Sequence, residues 1–406
     1  MTPTSQPQTF HHRRAPAEHG HHRVTFLELF FDLVFVFAVT QLSHGLIHHP
    51  TWLGLLETAI LAMAVWWVWI YTSWCTNWAD PDKAPVRMML FVLMLLGLVM
   101  SMAVPKAFEG KAMVFALAYV AMQVGRSAYM LWPMAEFSPG HRRNVLRITL
   151  WFVFSGALWI GGAALGGAAQ IGLWALAVAH EYAGPAARFW TPGLGASQPG
   201  EWDIEPGHFA ERCGLFVIIA LGESILVASS TFAGQEWRHD NAMAFLATFL
   251  GALGMWATYF NIGQERGALV MKRAENSGLV GRAYTYLHIL IVAGIIGTAV
   301  SDEFVLAHAS GTIDAKTLLA TVGGPLLYLI GLMLFKRATA GWFPLSHIGG
   351  CALLLGLWFA AGALHPWQLA LATALVLCLV AAWESWSLGP DAVTKIGAPH
   401  QRNKQT

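Results

Sequence analysis

Apolar runs of about 17–24 residues recur along the chain from Phe26 to Trp386, separated by short polar breaks. A helix rises 1.5 Å per residue, so a run of about 20 covers the roughly 30 Å hydrocarbon layer of a bilayer. Twelve such runs are read, at 26–47, 52–74, 86–104, 112–132, 145–166, 170–188, 209–232, 242–261, 283–301, 316–335, 345–363 and 367–386. The sixth is the weakest, because His180, Glu181 and Pro185 interrupt it. Little more than His365-Pro366 parts the last two, which predicts a tight hairpin. The expected fold class is an all-α integral membrane protein with about twelve transmembrane helices.

Composition agrees. The 406 residues are 56% hydrophobic and only 12% charged, against about 25% charged in an ordinary soluble domain. A surface this poor in charge is solvated by lipid, so the bilayer is the first expected partner. Nineteen Trp and 40 Gly fit that solvent, since Trp gathers at membrane interfaces and Gly lets helices approach closely. A net charge of +1 without a basic block argues against a nucleic-acid partner. The cysteines at 75, 213, 351 and 378 show no ligand-like spacing, and neither metal nor cofactor is expected. Residues 1–25 read as a polar, His- and Arg-rich tail rather than a cleavable signal.

Charge also orients the chain. With the amino terminus inside, 19 of 24 Lys and Arg fall at cytoplasmic ends, including Arg142, Arg143 and Arg147 in one loop and Arg266, Lys272, Arg273 and Arg282 in another. This distribution predicts that both termini are cytoplasmic. The Gly/Pro-rich break at 189–208 divides the spans into two sets of six. Ordered matches, such as Glu28 with Glu211 and Ala103-Val104 with Ala299-Val300, suggest two parallel six-helix repeats at 26–188 and 209–386, followed by a tail at 387–406. Gly162 and Gly166 form a close-packing motif for internal contact or for a homodimer.

A charge inside hydrocarbon costs at least about 2.5 kcal/mol, so each one requires a reason. Glu28 and Asp32 lie four apart on one face of the first span. Arg126 and Glu181 are expected in the same layer, near the inner ends of their own spans, with Arg126 paired to Asp32. Glu211 and Arg212 begin the seventh span and read chiefly as interface anchors. Glu223 lies near the midplane beside Ser224, and the repeat aligns this pair with Thr40 and Gln41. Midplane polar groups at a repeat interface are where carriers build substrate sites. His44, His180 and His288 lack paired spacing and read as core residues. No nucleophile motif survives inspection, so no catalytic residue is assigned.

Three stretches also carry a resemblance. Glu28-Leu-Phe-Phe-Asp32-Leu-Val-Phe-Val-Phe-Ala, Asn77-Trp-x-Asp80-Pro-Asp82 and His208-Phe-x-Glu211-Arg212-x-Gly-Leu-Phe-Val-Ile-Ile-x-Leu-Gly-Glu223-Ser resemble the bacterial low-temperature-requirement protein A family. The resemblance implies a multi-pass inner-membrane protein linked to growth in the cold, and its motif carboxylates match Glu28, Asp32, Glu211 and Glu223. It supplies no mechanism. Cys213 departs from the His expected there. The expected function is a secondary carrier, with proton coupling as one mode, for an unknown small solute or ion. The rivals are a lipid-acting membrane enzyme and a non-catalytic scaffold.

Overall fold

A computed structural model describes residues 14, 23–198, 201–202, 205–261 and 277–388. All twelve apolar runs are helical, and the described residues contain no strand, only isolated bridge positions such as Thr191–Gly195. In chain order the helices are α1 (Phe26–His48), α2 (Trp52–Trp78), α3 (Ala84–Ala103), α4 (Ala112–Ala135), α5 (Pro139–Leu165), α6 (Gly167–Ala186), α7 (Pro206–Ala233), α8 (His239–Phe260), α9 (Ser277–Ala307), α10 (Ala315–Ala340), α11 (Leu345–Ala360) and α12 (Pro366–Leu388). Eleven of them are long and apolar enough to cross a bilayer, and α6 is the one that is not. The loop basic residues Arg266, Lys272 and Arg273, most of the first 22 residues and the carboxyl-terminal tail from 389 lie outside the described residues.

The helices are inside-out relative to those of a soluble protein. On α1, Phe30 and Leu33 are more than half exposed, whereas Glu28, Asp32, Phe31 and Phe35 are completely buried. Water would reverse that arrangement and lipid maintains it, because hydrocarbon solvates the outer Phe and Leu while the carboxyls find partners within the bundle. These helices define a multi-pass membrane protein.

The chain divides into two compact units, Met1–Arg212 with Asn276–Arg282, and Cys213–Glu275 with Ala283–Thr406. In the first, α1 packs on α2 and α3, α3 on α4, α4 on α5, and α5 on α6, while α2 also touches α4 and α6. Gly97 lets α3 approach α1, since a Cβ there would lie 2.9 Å from Val34 Cγ1. The α5–α6 turn runs through Gly166 and Gly167, both at positive φ. Gly162 faces the ring of Trp174 on α6, so the small-residue motif serves internal packing and the turn. In the second unit α12 packs along α8 and against α11 and α10. Gly294 of α9 lies against the backbone of Tyr328 on α10, at a separation that excludes any side chain.

Candidate functional site

The first turns of α1 and α7 and the last turns of α2 build one ionic cluster. Thr25 caps α1, and Glu28 completes a capping box by taking the Thr25 N–H at 2.9 Å and its hydroxyl at 3.0 Å on Oε2. Arg14 donates to that oxygen at 3.3 Å. Glu28 Oε1 accepts from His208 Nε2 at 2.9 Å and lies 3.8 Å from Arg212 Nη1. One turn further in, Asp32 Oδ1 accepts from Arg212 Nη2 and from the Trp69 indole N–H, each at 2.8 Å. Arg212 also rests on the Trp69 and Phe31 rings, 5.6 and 6.0 Å from their centroids.

Asn77 sets the tautomer of His208. Its Oδ1 accepts the Glu205 N–H at 2.7 Å and its Nδ2 donates to the Glu205 carbonyl at 2.9 Å, which fixes the amide orientation. The second Nδ2 hydrogen is left for His208 Nδ1 at 3.4 Å. Nδ1 therefore accepts, and Nε2 carries the hydrogen that reaches Glu28. Asp80 and Asp82 tie down the loop before α3 without capping the helix, with Asp82 N–H on Asp80 Oδ1 and Arg87 on the Asp82 carbonyl, each at 3.0 Å. Asn77 belongs to the ionic cluster instead.

The expected Arg126–Asp32 pair does not form. Arg126 on α4 donates to the Val68 carbonyl at 3.0 Å, to Thr72 Oγ1 at 3.1 Å and to Gln123 Oε1, and it lies 5.7 and 5.8 Å from the Tyr71 and Phe152 rings. Gln123 Nε2 donates in turn to the Tyr119 hydroxyl at 3.1 Å, and Tyr119 donates to Glu181 Oε2. Trp159 holds Glu181 Oε1 at 3.1 Å. Arg126 and Glu181 are thus joined through two neutral side chains rather than by contact. Beside them a small cavity is lined by Tyr71, Trp74, Cys75, Trp78 and Ser127, among others.

Two basic residues placed at cytoplasmic surfaces are in fact buried in unit 1. Arg212, read as an anchor, is the central cation of the cluster. Arg147 donates to the Leu194 carbonyl at 3.1 and 2.7 Å and pairs with Glu201 at 2.8 Å, so it fastens the interhelical segment to α5. Glu211 is half-buried and accepts the Val24 N–H at 3.3 Å. Gln41 is half-buried on α1.

In the second unit Glu223 is buried and its Oε1 has no hydrogen-bond partner. Ser224 donates to Asp302 Oδ2 at 2.7 Å. Sequence reading missed Asp302 because the ninth run was ended at residue 301, whereas α9 continues to Ala307. Lys336 lies near the end of α10, where charge counting puts it among the basic residues at helix ends. It is instead buried against both oxygens of Glu384 at 2.7 Å, the Thr258 carbonyl at 3.0 Å and His347 at 3.3 Å. His288 is a core residue bonded to Tyr259 at 2.8 Å, and His180 stacks on Trp151, whereas His44 is exposed. Among the described residues no three His, Cys, Asp or Glu side chains converge as metal ligands.

A helical membrane bundle with carboxylates, guanidinium and imidazole buried together is a class of protein defined by its interior charges. The family model for the bacterial low temperature requirement A protein matches residues 23–382, which includes every helix that contributes to the cluster. The chain belongs to this low-temperature-requirement A family. It is also 40% identical over 368 residues to an uncharacterized protein of Rhizobium meliloti (strain 1021), RA0937, with 89% of each chain covered. No solved structure matches it.

Proposed function

We propose that the protein is a proton-linked secondary carrier of a small solute, with Asp32 as the proton acceptor and Arg212 as the group that responds. The observation behind this reading is an imperfect pairing. Asp32 and Arg212 meet through one oxygen and one nitrogen, and Asp32 Oδ2, Arg212 Nε and Arg212 Nη1 are buried without a hydrogen-bond partner. An ion pair evolved only for stability would close these bonds, as Lys336 and Glu384 do. A proton on Oδ2 turns Asp32 into a neutral acid and loosens its hold on Arg212. The guanidinium, which cannot lose its own charge, then offers donors to an anionic group of a solute such as a carboxylate or phosphate. The inner membrane, cytoplasmic termini and two parallel six-helix repeats complete the proposal, in which the cluster joins the cytoplasmic ends of α1, α2 and α7.

Charge movement provides the test. Purified protein in proteoliposomes is exposed to a panel of small carboxylates, phosphates and amino acids on a capacitive sensor. A solute-evoked current that rises with an inward proton gradient is expected, and it should disappear in Asp32→Asn. A folded protein that gives no current across the panel, or a current unchanged in Asp32→Asn, overturns the reading.

A further inference from the structure

The second unit contains a buried carboxyl with no ion-pair partner among the described residues. Asp302 of α9 is buried where it meets α7 and α8. Ser224 Oγ donates to its Oδ2 at 2.7 Å, and Thr248 Oγ1 lies 3.1 Å from its Oδ1. The same Thr248 oxygen lies 3.3 Å from the Ala244 carbonyl one turn earlier on α8. Counting hydrogens decides what this group is. Thr248 has one hydroxyl hydrogen and faces two oxygens that can only accept if Asp302 is ionised. The two contacts would then share that single hydrogen at best, next to a buried anion with no cation beside it. With a hydrogen on Oδ1 every contact is served. Oδ1–H donates to Thr248, Thr248 donates to Ala244, and Ser224 donates to Oδ2.

Among the described residues the neighbouring elements bring no compensating cation. On α7 the residue beside Ser224 is Glu223, itself an acid. On α9 Glu303 takes the Thr231 hydroxyl at 2.7 Å. Around Thr248 on α8 stand Ala244, Ala247 and Gly251. On α10 Thr321 bonds Ser301 at 2.7 Å, and Lys316 lies over the Phe304 ring at 5.3 Å and pairs with Asp314 at 3.7 Å.

We propose that Asp302 is a resident proton site, a neutral carboxylic acid whose Oδ1–H donates to Thr248 and whose Oδ2 accepts from Ser224. Any part it has in coupling rests on the carrier function proposed above; the proton itself does not. Infrared spectra of the full chain in nanodiscs at neutral pH, without solute, provide the test. A protonated-carboxyl carbonyl band is expected that is lost in Asp302→Asn and shifts to higher frequency in Ser224→Ala and Thr248→Val, each of which removes one hydrogen bond. Asp302→Asn should also fold, because the amide reproduces a donor toward Thr248 and an acceptor for Ser224. If it does not fold, the shifts in the other two variants decide. A spectrum with no such band, a band that survives Asp302→Asn, one unmoved by both hydroxyl removals, or one removed by added sodium overturns the assignment, the last in favour of a bound alkali cation. The measurement involves no transport, so a carrier assay that fails leaves it standing, and a missing band leaves the carrier reading untouched.

Discussion

Arg126 and Arg212 are both buried in the first unit, and helix α2 serves both from adjacent positions. Val68 and Thr72 face Arg126, while Trp69 and Ser73 face the Arg212–Asp32 pair. Consecutive helical residues point about 100° apart, so one turn of α2 holds two cations in separate surroundings. Arg212 is neutralised by an anion it touches. Arg126 is held by a carbonyl, a hydroxyl, an amide oxygen and two aromatic faces, with its nearest linked carboxylate two side chains away. A guanidinium in a membrane thus has two solutions, a direct counter-charge or a shell of oriented dipoles, and they differ in what is left behind when the cation is removed.

The largest effect follows from the first solution. Arg212→Leu leaves Asp32 as an uncompensated buried anion and weakens the surroundings of Glu28. The expected loss is about 3–5 kcal/mol, enough to remove most folded protein from the membrane. Arg212→Leu with Asp32→Leu removes both charges and should recover part of that loss. Thermal unfolding of fluorescent fusions in detergent would read the series. A double variant that loses the full sum would mean that the 2.8 Å contact carries no coupling.

Arg126→Leu should cost less, about 1–3 kcal/mol, because it strands neutral acceptors rather than an anion. Combined with Asp32→Leu its loss should be additive to within about 0.5 kcal/mol, as for residues without shared partners. Coupling well above that value would mean that the two share a carboxylate after all, and the distinction between the two arginines would fail.

The sequence contained most of the fold, because a bilayer imposes one length on every span. All twelve apolar runs are helices, and the run with His180, Glu181 and Pro185 is the one that falls short of a span by composition. Cost also pointed to Glu28, Asp32 and Arg126 as buried. Pairing was less legible. Depth was measured from apolar runs, and the run containing Arg212 was started at residue 209, so Arg212 looked superficial. The helix begins at Pro206, which puts Arg212 six residues in, the same depth as Asp32 from Phe26. A helix start read from Glu205, whose carboxylate caps the Gly207 and His208 N–H groups at 3.0 and 2.7 Å, would have matched the two. Depth limits which residues can meet, but it does not choose among helices at one depth, and by depth alone Arg126 and Arg212 are equal candidates for Asp32. Lys336 and Arg147 show the same blind spot, since a basic residue near a helix end can turn inward.

The smallest and sharpest comparison lies within α2 itself, between Thr72→Val and Ser73→Ala. Each removes one hydroxyl that accepts from an arginine and donates back to its own helix. Thr72 Oγ1 takes Arg126 Nη1 at 3.1 Å and donates to the Val68 carbonyl at 2.8 Å, whereas Ser73 Oγ takes Arg212 Nη2 at 3.3 Å and donates to the Trp69 carbonyl at 3.2 Å. Arg212 Nη2 retains the Asp32 carboxylate when Ser73 loses its oxygen, so little charge stabilisation is lost. Arg126 has no such reserve, and each dipole carries a larger share of its neutralisation. Thr72→Val should therefore cost about 1–1.5 kcal/mol and Ser73→Ala about 0.5 kcal/mol or less. The same melting series measures both, and valine keeps the shape of threonine so that packing does not confuse the result. Equal losses, or a larger loss at Ser73, would show that Asp32 does not carry the neutralisation of Arg212.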